Sequence, residues 1–178
     1  MPIGSIPVSN YMTRNVKTED EYQNIHAACK IMHENDIGAV VIVKGDKVDH
    51  ENDGNKNGKQ PIGIITERDV VKAIGSLDPS LLTAPLRQIM SKPLVTISIK
   101  TSIKDAIQAM QHNNIRRLII VENEGVMAGI ITYKDIFRAI MGSQDLTMSL
   151  LGDKMLVEPK SVYDQFGEYW FSDILQRK

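Results

Sequence analysis

Two short segments of the sequence carry the same polar pattern. Residues 63–69 read Gly-Ile-Ile-Thr-Glu-Arg-Asp, and residues 129–135 read Gly-Ile-Ile-Thr-Tyr-Lys-Asp. In each, an apolar run typical of a strand leads into a threonine and an aspartate at the predicted start of a helix. The amides and the dipole of a helix N-terminus favour anions, and an aspartate beside them can accept both hydroxyls of a ribose. The pattern therefore fits a site for a sugar phosphate.

The same residues also fit a structural role. Thr66 with Asp69, and Thr132 with Asp135, have the spacing of a capping box, in which side chains satisfy the first amides of a helix. Such a cap stabilises a helix by about 1 kcal/mol. The two interpretations are compatible, and the sequence leaves both open.

Both segments belong to an internal repeat. A displacement of 78 residues aligns identical residues of the two copies, which are Met12, Thr18, Ile25, Ala28, Met32 and Ile37 with Met90, Thr96, Ile103, Ala106, Met110 and Ile115. The Gly-Ile-Ile-Thr segments align at 66, so the first copy carries 12 more residues. These lie between Lys44 and Ile62, in a polar stretch rich in Gly and Asn that is typical of an exposed loop between strands.

The hydrophobic pattern of each copy predicts the order strand, helix, strand, strand, helix. Apolar residues at i, i+3, i+4 and i+7, from Ile25 and from Ile103, predict amphipathic helices. Ser102 marks the start of the second of these helices, whereas the first has no clear start signal. Residues 39–43 and 118–121 are β-branched runs that suit buried strands. Because one copy leaves an apolar sheet face uncovered, we expect an α/β fold in which two copies pack about a pseudo-twofold axis.

The predicted organisation is one copy over residues 6–76, a second over 84–142, and an extension over 143–178, with a linker through Gly75 to Pro85. The extension holds five of the nine aromatic residues, which are Tyr163, Phe166, Tyr169, Trp170 and Phe171. Ser161 and Asp164 predict a helix there with one apolar face. That face is expected to pack on the chain's own pair or across a homodimer, or else to dock on a protein partner.

The tandem copies, their element order and the doubled Gly-x-x-Thr-x-x-Asp pattern resemble a CBS-domain pair, from about Ile6 to Met141. The segment Ile115 to Leu118, with its two arginines, also resembles the part of second CBS repeats where basic residues meet phosphates. The resemblance implies a disc-like dimer of pairs. It further implies clefts that bind AMP, ADP or ATP, and sometimes S-adenosylmethionine.

The resemblance also implies roles for individual residues. Asp69 and Asp135 would hold ribose hydroxyls, and Thr66 and Thr132 would lie near ribose or phosphate. The phosphate candidates are Arg68, Lys134, Arg116 and Arg117, and the further ligand-binding candidates are Thr18 and Thr96. Where the second copy has two arginines, the first has Gly38 and Ala39. We therefore expect unequal clefts, with less phosphate charge in the first copy.

Composition disfavours several other functions. A net charge of -1 gives no electrostatic footprint for nucleic acid or an anionic membrane. No apolar run approaches the roughly 18 residues of a membrane span, and the N-terminus lacks signal-peptide features, so a cytoplasmic location is expected. Cys29, the single cysteine, fits a small buried hydrophobe.

No metal or catalytic residues are predicted. Residues 49–54 imitate the opening of a calcium loop, but Gln60 stands where a bidentate Glu is needed. The histidines His26, His33 and His112 lack the spacing of a metal site. There is no nucleophile elbow and no phosphate-binding loop for Mg-nucleotide hydrolysis.

The sequence thus predicts a homodimeric regulatory module rather than an enzyme. Its adenine nucleotide would be a regulatory ligand and not a required cofactor, and binding would be passed on by a change in conformation. Two alternatives stay open: a structural dimerisation module that binds no nucleotide, and a CBS pair that binds S-adenosylmethionine.

Overall fold

Each copy of the repeat folds into a small three-stranded sheet with two main helices. The computed structural model describes residues 6–44, 60–76, 78–122 and 125–141. The first copy contains β1 (Thr18–Asp20), α1 (Ile25–Asn35), β2 (Ala39–Val43), β3 (Pro61–Thr66) and α2 (Glu67–Gly75). Two short helices follow, α3 (Ser80–Thr83) and α4 (Leu86–Ile89). The second copy contains β4 (Thr96–Ser98), α5 (Ile103–His112), β5 (Arg117–Val121), β6 (Met127–Thr132) and α6 (Tyr133–Met141). The predicted order of elements is confirmed.

The two sheets have the same topology and the same register. In the first, β2 lies between a parallel β1 and an antiparallel β3, and in the second, β5 lies between β4 and β6 in the same way. Ala39 pairs with Thr66, and Arg117 pairs with Thr132. Both antiparallel pairs also shift register after the fourth residue of the central strand. The repeat seen in the sequence is therefore a structural repeat at the level of single residue pairs.

Short polar side chains begin the first long helix of each copy. The Ser102 hydroxyl accepts a hydrogen bond of 3.1 Å from the Asp105 amide, as predicted. For α1, which had no clear start signal, the cap is Asn24, whose side chain accepts a bond of 3.2 Å from the Ala27 amide. Asparagine is among the preferred N-cap residues.

The central strands lie in the core. Leu118, Ile119 and Ile120 of β5 expose no more than 2% of their surface, and the matching residues of β2 are equally buried. Because successive side chains of a strand point to opposite faces, both faces of these strands are covered. This agrees with the β-branched runs that predicted buried strands.

The core of each copy is completed by a segment of the other. Val8 and Met12 precede β1, the first strand of the first copy, but pack in the core of the second. Leu86 and Met90 precede β4, the first strand of the second copy, but pack in the core of the first. We call residues 6–13 and 84–91 the exchanged segments. Since each core borrows apolar residues from the other copy, the two copies form one packed unit.

Glycines allow the exchanged segments to approach the sheets. The backbone of Thr13 pairs with Ile130, and that of Ser91 pairs with Ile64. A Cβ built on the adjacent Gly129 would lie 2.8 Å from the carbonyl oxygen of Thr13, and one built on Gly63 would overlap the side chain of Met90. The glycine that opens each Gly-Ile-Ile-Thr segment is thus required by close packing rather than by a turn.

The 12-residue difference between the copies lies within the hairpin of the first. The Lys44 amide donates to the Gln60 carbonyl at 3.2 Å, and the matching bond in the second copy joins Glu122 to Val126 at 2.9 Å. The stretch between Lys44 and Gln60, with the calcium-like pattern, and the C-terminal extension lie outside the described residues. Within the described ranges, no helix has the length and apolar character needed to span a bilayer.

Candidate functional site

Both Thr-x-x-Asp pairs form complete capping boxes at the junctions of β3 with α2 and of β6 with α6. Asp69 Oδ2 accepts from the Thr66 amide at 2.8 Å and from its hydroxyl at 2.6 Å, while the Asp69 amide donates to Thr66 Oγ1 at 3.4 Å. The corresponding distances for Thr132 and Asp135 are 2.9, 2.6 and 3.3 Å. The structural role predicted for these residues is confirmed. One oxygen of each carboxylate is left over for other partners.

In the first copy, the other oxygen of the aspartate is held by the exchanged segment. The Ser91 hydroxyl donates to Asp69 Oδ1 at 3.0 Å, across a separation of 22 residues. Asp69 is 9% exposed and is the one charged residue among the buried residues described. The carboxylate of the first copy is therefore fixed by both copies.

In the second copy, the corresponding oxygen has a long contact with an arginine. Asp135 Oδ1 lies 3.9 Å from Arg138 Nη1, and the Arg138 side chain is 67% exposed. Thr13, which matches Ser91, makes no hydrogen bond to Asp135 within the described ranges. The two aspartates are thus equivalent in sequence but have different surroundings.

Arg117 reaches from the second copy to the start of α2 in the first, close to Glu67. Burial lowers the pKa of Arg117, while the nearby carboxylates of Glu67 and Asp69 act in the opposite direction. A Cβ built on Gly38 would lie 2.9 Å from Glu67 Oε2 and 3.4 Å from Arg117 Nη2, so this glycine leaves the space that both side chains use. In the described part of the chain, no salt bridge fixes the Arg117 guanidinium. It is a largely desolvated cation beside the start of α2.

Arg116 is placed at the other helix. The Tyr133 amide donates to the Arg116 carbonyl at 3.3 Å, as the Glu67 amide donates to that of Gly38 at 3.4 Å. Burial raises the pKa of Tyr133, and the charge of Arg116 partly offsets this effect. The two arginines are neighbours in sequence but lie at different helices. Arg117 lies near the start of α2, and Arg116 lies near the start of α6.

The position of Arg117 changes the expectation that the cleft of the first copy has less phosphate-binding charge. The sequence suggested that the first copy lacks a source of phosphate charge because it has Gly38 and Ala39 at the matching positions. In the structure, Gly38 makes room for Arg117 of the second copy, which brings a cation to the start of α2, within electrostatic range of Asp69. The clefts still differ, since Ala39 offers no such charge in return.

The remaining candidates lie around these groups without joining them. Arg68 and Lys134 are exposed on the first turns of α2 and α6, and neither bonds to another described side chain. Thr18 and Thr96 begin β1 and β4, where their backbones pair with β2 and β5. For Arg68, Lys134 and Thr96, the structure describes no direct contact with the aspartates.

Sequence reasoning missed Ser91, Glu67 and Arg138. The alignment of Met12 with Met90 places Thr13 and Ser91 at matched positions, but no local pattern indicates that Ser91 bonds to Asp69. Arg138 follows Asp135 by three residues, a spacing that brings side chains together on a helix. No sequence signal marked Glu67, because its meeting with Arg117 depends on how the copies pack.

Two grooves open near the first copy's helices. One, of about 180 Å³, lies beside Asp69 and is lined also by Lys72, Ala73, Leu81, Gln88 and Ile89. The other, of about 470 Å³, runs between α1 and α2 from Gly38 and Glu67 to Val71, and Cys29 lines it. Burial raises the pKa of the Cys29 thiol, which disfavours the reactive thiolate. Among the residues described, no group of three or more His, Cys, Asp or Glu is placed to hold a metal.

The fold and the paired sites define a class of protein: tandem α/β repeats with exchanged segments and an acidic helix start in each copy. Residues 8–76 and 86–142 match the CBS domain, and the chain belongs to the CBS-domain family. It is 34% identical to an uncharacterized protein of Methanopyrus kandleri over 134 residues, which are 75% of this chain and 62% of that protein. It is 31% identical to an uncharacterized protein of Methanocaldococcus jannaschii over 145 residues, covering 75% of this chain and 31% of that protein. The match thus spans less than two thirds of the length of these relatives.

Solved structures share the fold. A CBS domain protein from Pyrobaculum aerophilum, complexed with AMP, has a TM-score of 0.64 at 22% identity and covers 83% of this chain and 99% of its own. A CBS domain pair in complex with 5′-methylthioadenosine and S-adenosyl-L-methionine has a TM-score of 0.63 at 23% identity, with 77% and 97% covered. The predicted pair of CBS repeats is confirmed.

Proposed function

We propose that this chain is a regulatory, non-catalytic module that binds an adenine nucleotide of the AMP, ADP or ATP class in the clefts between its two repeats. The nucleotide acts as a regulatory ligand, and the bound state passes to a partner through a change in the packing of the repeats. The chain acts as a homodimer.

One observation carries the proposal: Arg117 of the second copy lies near Glu67 at the start of α2 in the first, within electrostatic range of Asp69. A largely desolvated guanidinium without a salt bridge favours a further anion. A ribose phosphate suits both groups, because its hydroxyls can donate to the aspartate and its phosphate can accept from the arginine. Arg116 offers a second cation near α6, so each cleft has one acidic and one basic group. The AMP-bound CBS neighbour from Pyrobaculum aerophilum supports this choice of ligand.

Two other functions remain candidates. Complete capping boxes are also what a purely structural dimerisation module would contain. Binding of S-adenosylmethionine is favoured by the CBS pair solved with that ligand, but its sulfonium is cationic and has no phosphate for Arg117 to meet. A thermal shift distinguishes the scaffold, because a ligand at 100 times its Kd stabilises the native state by about 2.7 kcal/mol.

The decisive experiment is a calorimetric titration of Arg117→Ala with adenosine, AMP and ATP at two salt concentrations. Because Coulomb attraction scales with ligand charge, we expect AMP and ATP affinity to fall roughly tenfold and adenosine affinity to change by less than about twofold. Arg116→Ala is titrated in parallel to test the second cleft.

Arg87→Ala is the matched control. Arg87 stacks on Tyr22 with its guanidinium 4.9 Å from the ring, so its loss removes the same net charge at a different surface. The control should leave all three affinities unchanged. Equal losses for charged and uncharged ligands in Arg117→Ala, or no loss for either, would remove the phosphate role from this residue.

A further inference from the structure

Ser91 joins the ribose-binding candidate of one copy to the exchanged segment of the other. Its hydroxyl donates to Asp69 Oδ1 at 3.0 Å, although it lies 22 residues further along the chain. Ser91 is exposed and is held by backbone bonds to Ile64 at both its amide and its carbonyl. The hydroxyl is thus presented to Asp69 by a fixed backbone.

The bond limits what Asp69 can still accept. An ionised carboxylate has about four lone-pair sites, two on each oxygen. On Asp69, Oδ2 already accepts from the amide and the hydroxyl of Thr66, and Oδ1 accepts from Ser91. One site remains, enough for one ribose hydroxyl.

The aspartate of the second copy has more capacity. Asp135 Oδ2 is occupied by Thr132 in the same way, and among the described residues Oδ1 has one polar contact, with the exposed Arg138 at 3.9 Å. Thr13, at the position of Ser91, does not bond to Asp135 within the described residues. Two sites remain, enough for both hydroxyls of a ribose.

We infer that Ser91 is a specificity-determining residue, which makes the Asp69 cleft tolerant of deoxyribose while the Asp135 cleft requires the full ribose diol. The inference rests on the proposed function and adds to it the sugar preference of each cleft. In the Asp69 cleft, either hydroxyl can take the single open site, so the loss of one hydroxyl costs little. In the Asp135 cleft, each hydroxyl has its own site, and the loss of one removes a hydrogen bond to a charged acceptor.

The test titrates AMP, 2′-deoxy-AMP and 3′-deoxy-AMP into the full chain with one cleft disabled at a time. In an Asp135→Ala background, we expect both deoxy ligands to bind within about threefold of AMP, because one hydroxyl satisfies the one open site. Adding Ser91→Ala should raise the preference for AMP to about tenfold or more, the effect of one charge-assisted bond. In an Asp69→Ala background, which leaves the Asp135 cleft, AMP should be preferred over both deoxy ligands by about tenfold without any substitution of Ser91.

Two matched variants distinguish the loss of the Ser91 hydroxyl from a folding defect. Ser91→Thr keeps the hydroxyl, as the second copy has Thr13 there, and should retain the low preference of the first cleft. Thr13→Ala in the Asp69→Ala background should leave the preference of the second cleft unchanged. If AMP binds but Ser91→Ala leaves the deoxy preference unaltered, the role of Ser91 is refuted while the proposed function stands. If no adenine nucleotide binds the parent chain, both are refuted.

Discussion

Asp69 and Asp135 occupy matched positions, yet their carboxylates belong to different networks. Both cap a helix through the threonine three residues earlier, but Asp69 is also bonded to Ser91 and lies within electrostatic range of Arg117 of the other copy. Among the described residues, Asp135 has in place of these a long contact with an exposed arginine. An unsatisfied buried group costs more than an exposed one, so the same substitution should have unequal effects.

We predict that Asp69→Ala lowers the free energy of unfolding by about 2 to 3 kcal/mol, because it removes a buried charged acceptor and leaves Ser91 and the Thr66 amide without it. Asp135→Ala should cost only about 1 kcal/mol, the value of a helix cap. Urea denaturation of both variants without ligand measures the difference. Equal losses would mean that the Ser91 bond contributes nothing to stability.

Asp69→Ala and Asp135→Ala also test whether the two aspartates bind the ribose. Each should weaken binding in its own cleft by about 1.5 to 3 kcal/mol, as expected for a lost charge-assisted hydrogen bond. Calorimetric titration with AMP gives affinity and stoichiometry together. A double variant that binds AMP as tightly as the parent would show that neither aspartate holds ribose.

At the scale of elements, the glycines of β3 and β6 set the distance between each sheet and the exchanged segment. The two positions are equivalent but not equally constrained. A Cβ at Gly63 would overlap only the flexible Met90 side chain, whereas one at Gly129 would meet a backbone carbonyl at 2.8 Å. A methionine can change rotamer, but a backbone that is held by two hydrogen bonds cannot easily shift.

Gly129→Ala should therefore destabilise the protein more than Gly63→Ala, by about 1 to 3 kcal/mol for an overpacked site. The comparison is made by thermal and urea unfolding of the two single variants. If Gly63→Ala were the more destabilising variant, the Met90 side chain would be unable to change rotamer and the backbone at Thr13 would be able to shift.

The hairpin between β2 and β3 should accept the short connection of the second copy. Both hairpins are closed by the same backbone bond, at Lys44 and Gln60 and at Glu122 and Val126. Replacing residues 45–59 by Asn-Glu-Gly, the sequence of residues 123–125, should change the free energy of unfolding by less than about 1 kcal/mol, because loop-closure entropy depends weakly on length. Far-UV circular dichroism and urea unfolding measure the result, and loss of folding would reveal a structural role for the longer connection.

At the scale of the molecule, the exchanged segments make the two copies interdependent. Leu86 is fully buried in the core of the first copy, and its amide donates to the Gln23 carbonyl at 2.7 Å. Val8 occupies the matching place in the second copy, bonded to Thr101 at 2.8 Å. A change in one copy's core is therefore felt through a segment that is continuous with the other, which gives ligand binding a physical route to alter the packing of the pair.

We predict that Leu86→Ala lowers the free energy of unfolding by about 2 to 5 kcal/mol and that the protein still unfolds in one transition. Hydrogen exchange should show loss of protection in β2, although Leu86 belongs to the second copy in sequence. Two separate transitions, or lost protection confined to β4 to β6, would contradict the shared core. Val8→Ala is the matched variant, with its effect expected in β5.

The local structure and the repeat could be predicted from the sequence alone. Periodicity gave the order of elements, the doubled Thr-x-x-Asp gave the capping boxes, and the alignment of the copies located the extra residues of the first hairpin. These features depend on residues close in the chain, whose geometry follows from helix and strand periods and from short side chains at helix starts. The resemblance to CBS pairs added the ligand class as an expectation.

Which polar side chains of the two copies contact each other could be seen only in the tertiary structure. The two arginines were adjacent in sequence and were both assigned to phosphate, but Arg117 lies near Glu67 of the other copy and Arg116 is bonded through its carbonyl to Tyr133. Ser91 reached Asp69 because residues 84–91 cross to the first copy, which no local pattern indicates. The physical reason is that the burial of apolar faces decides how the copies pack. That packing, rather than position along the chain, brings charges and hydroxyls together.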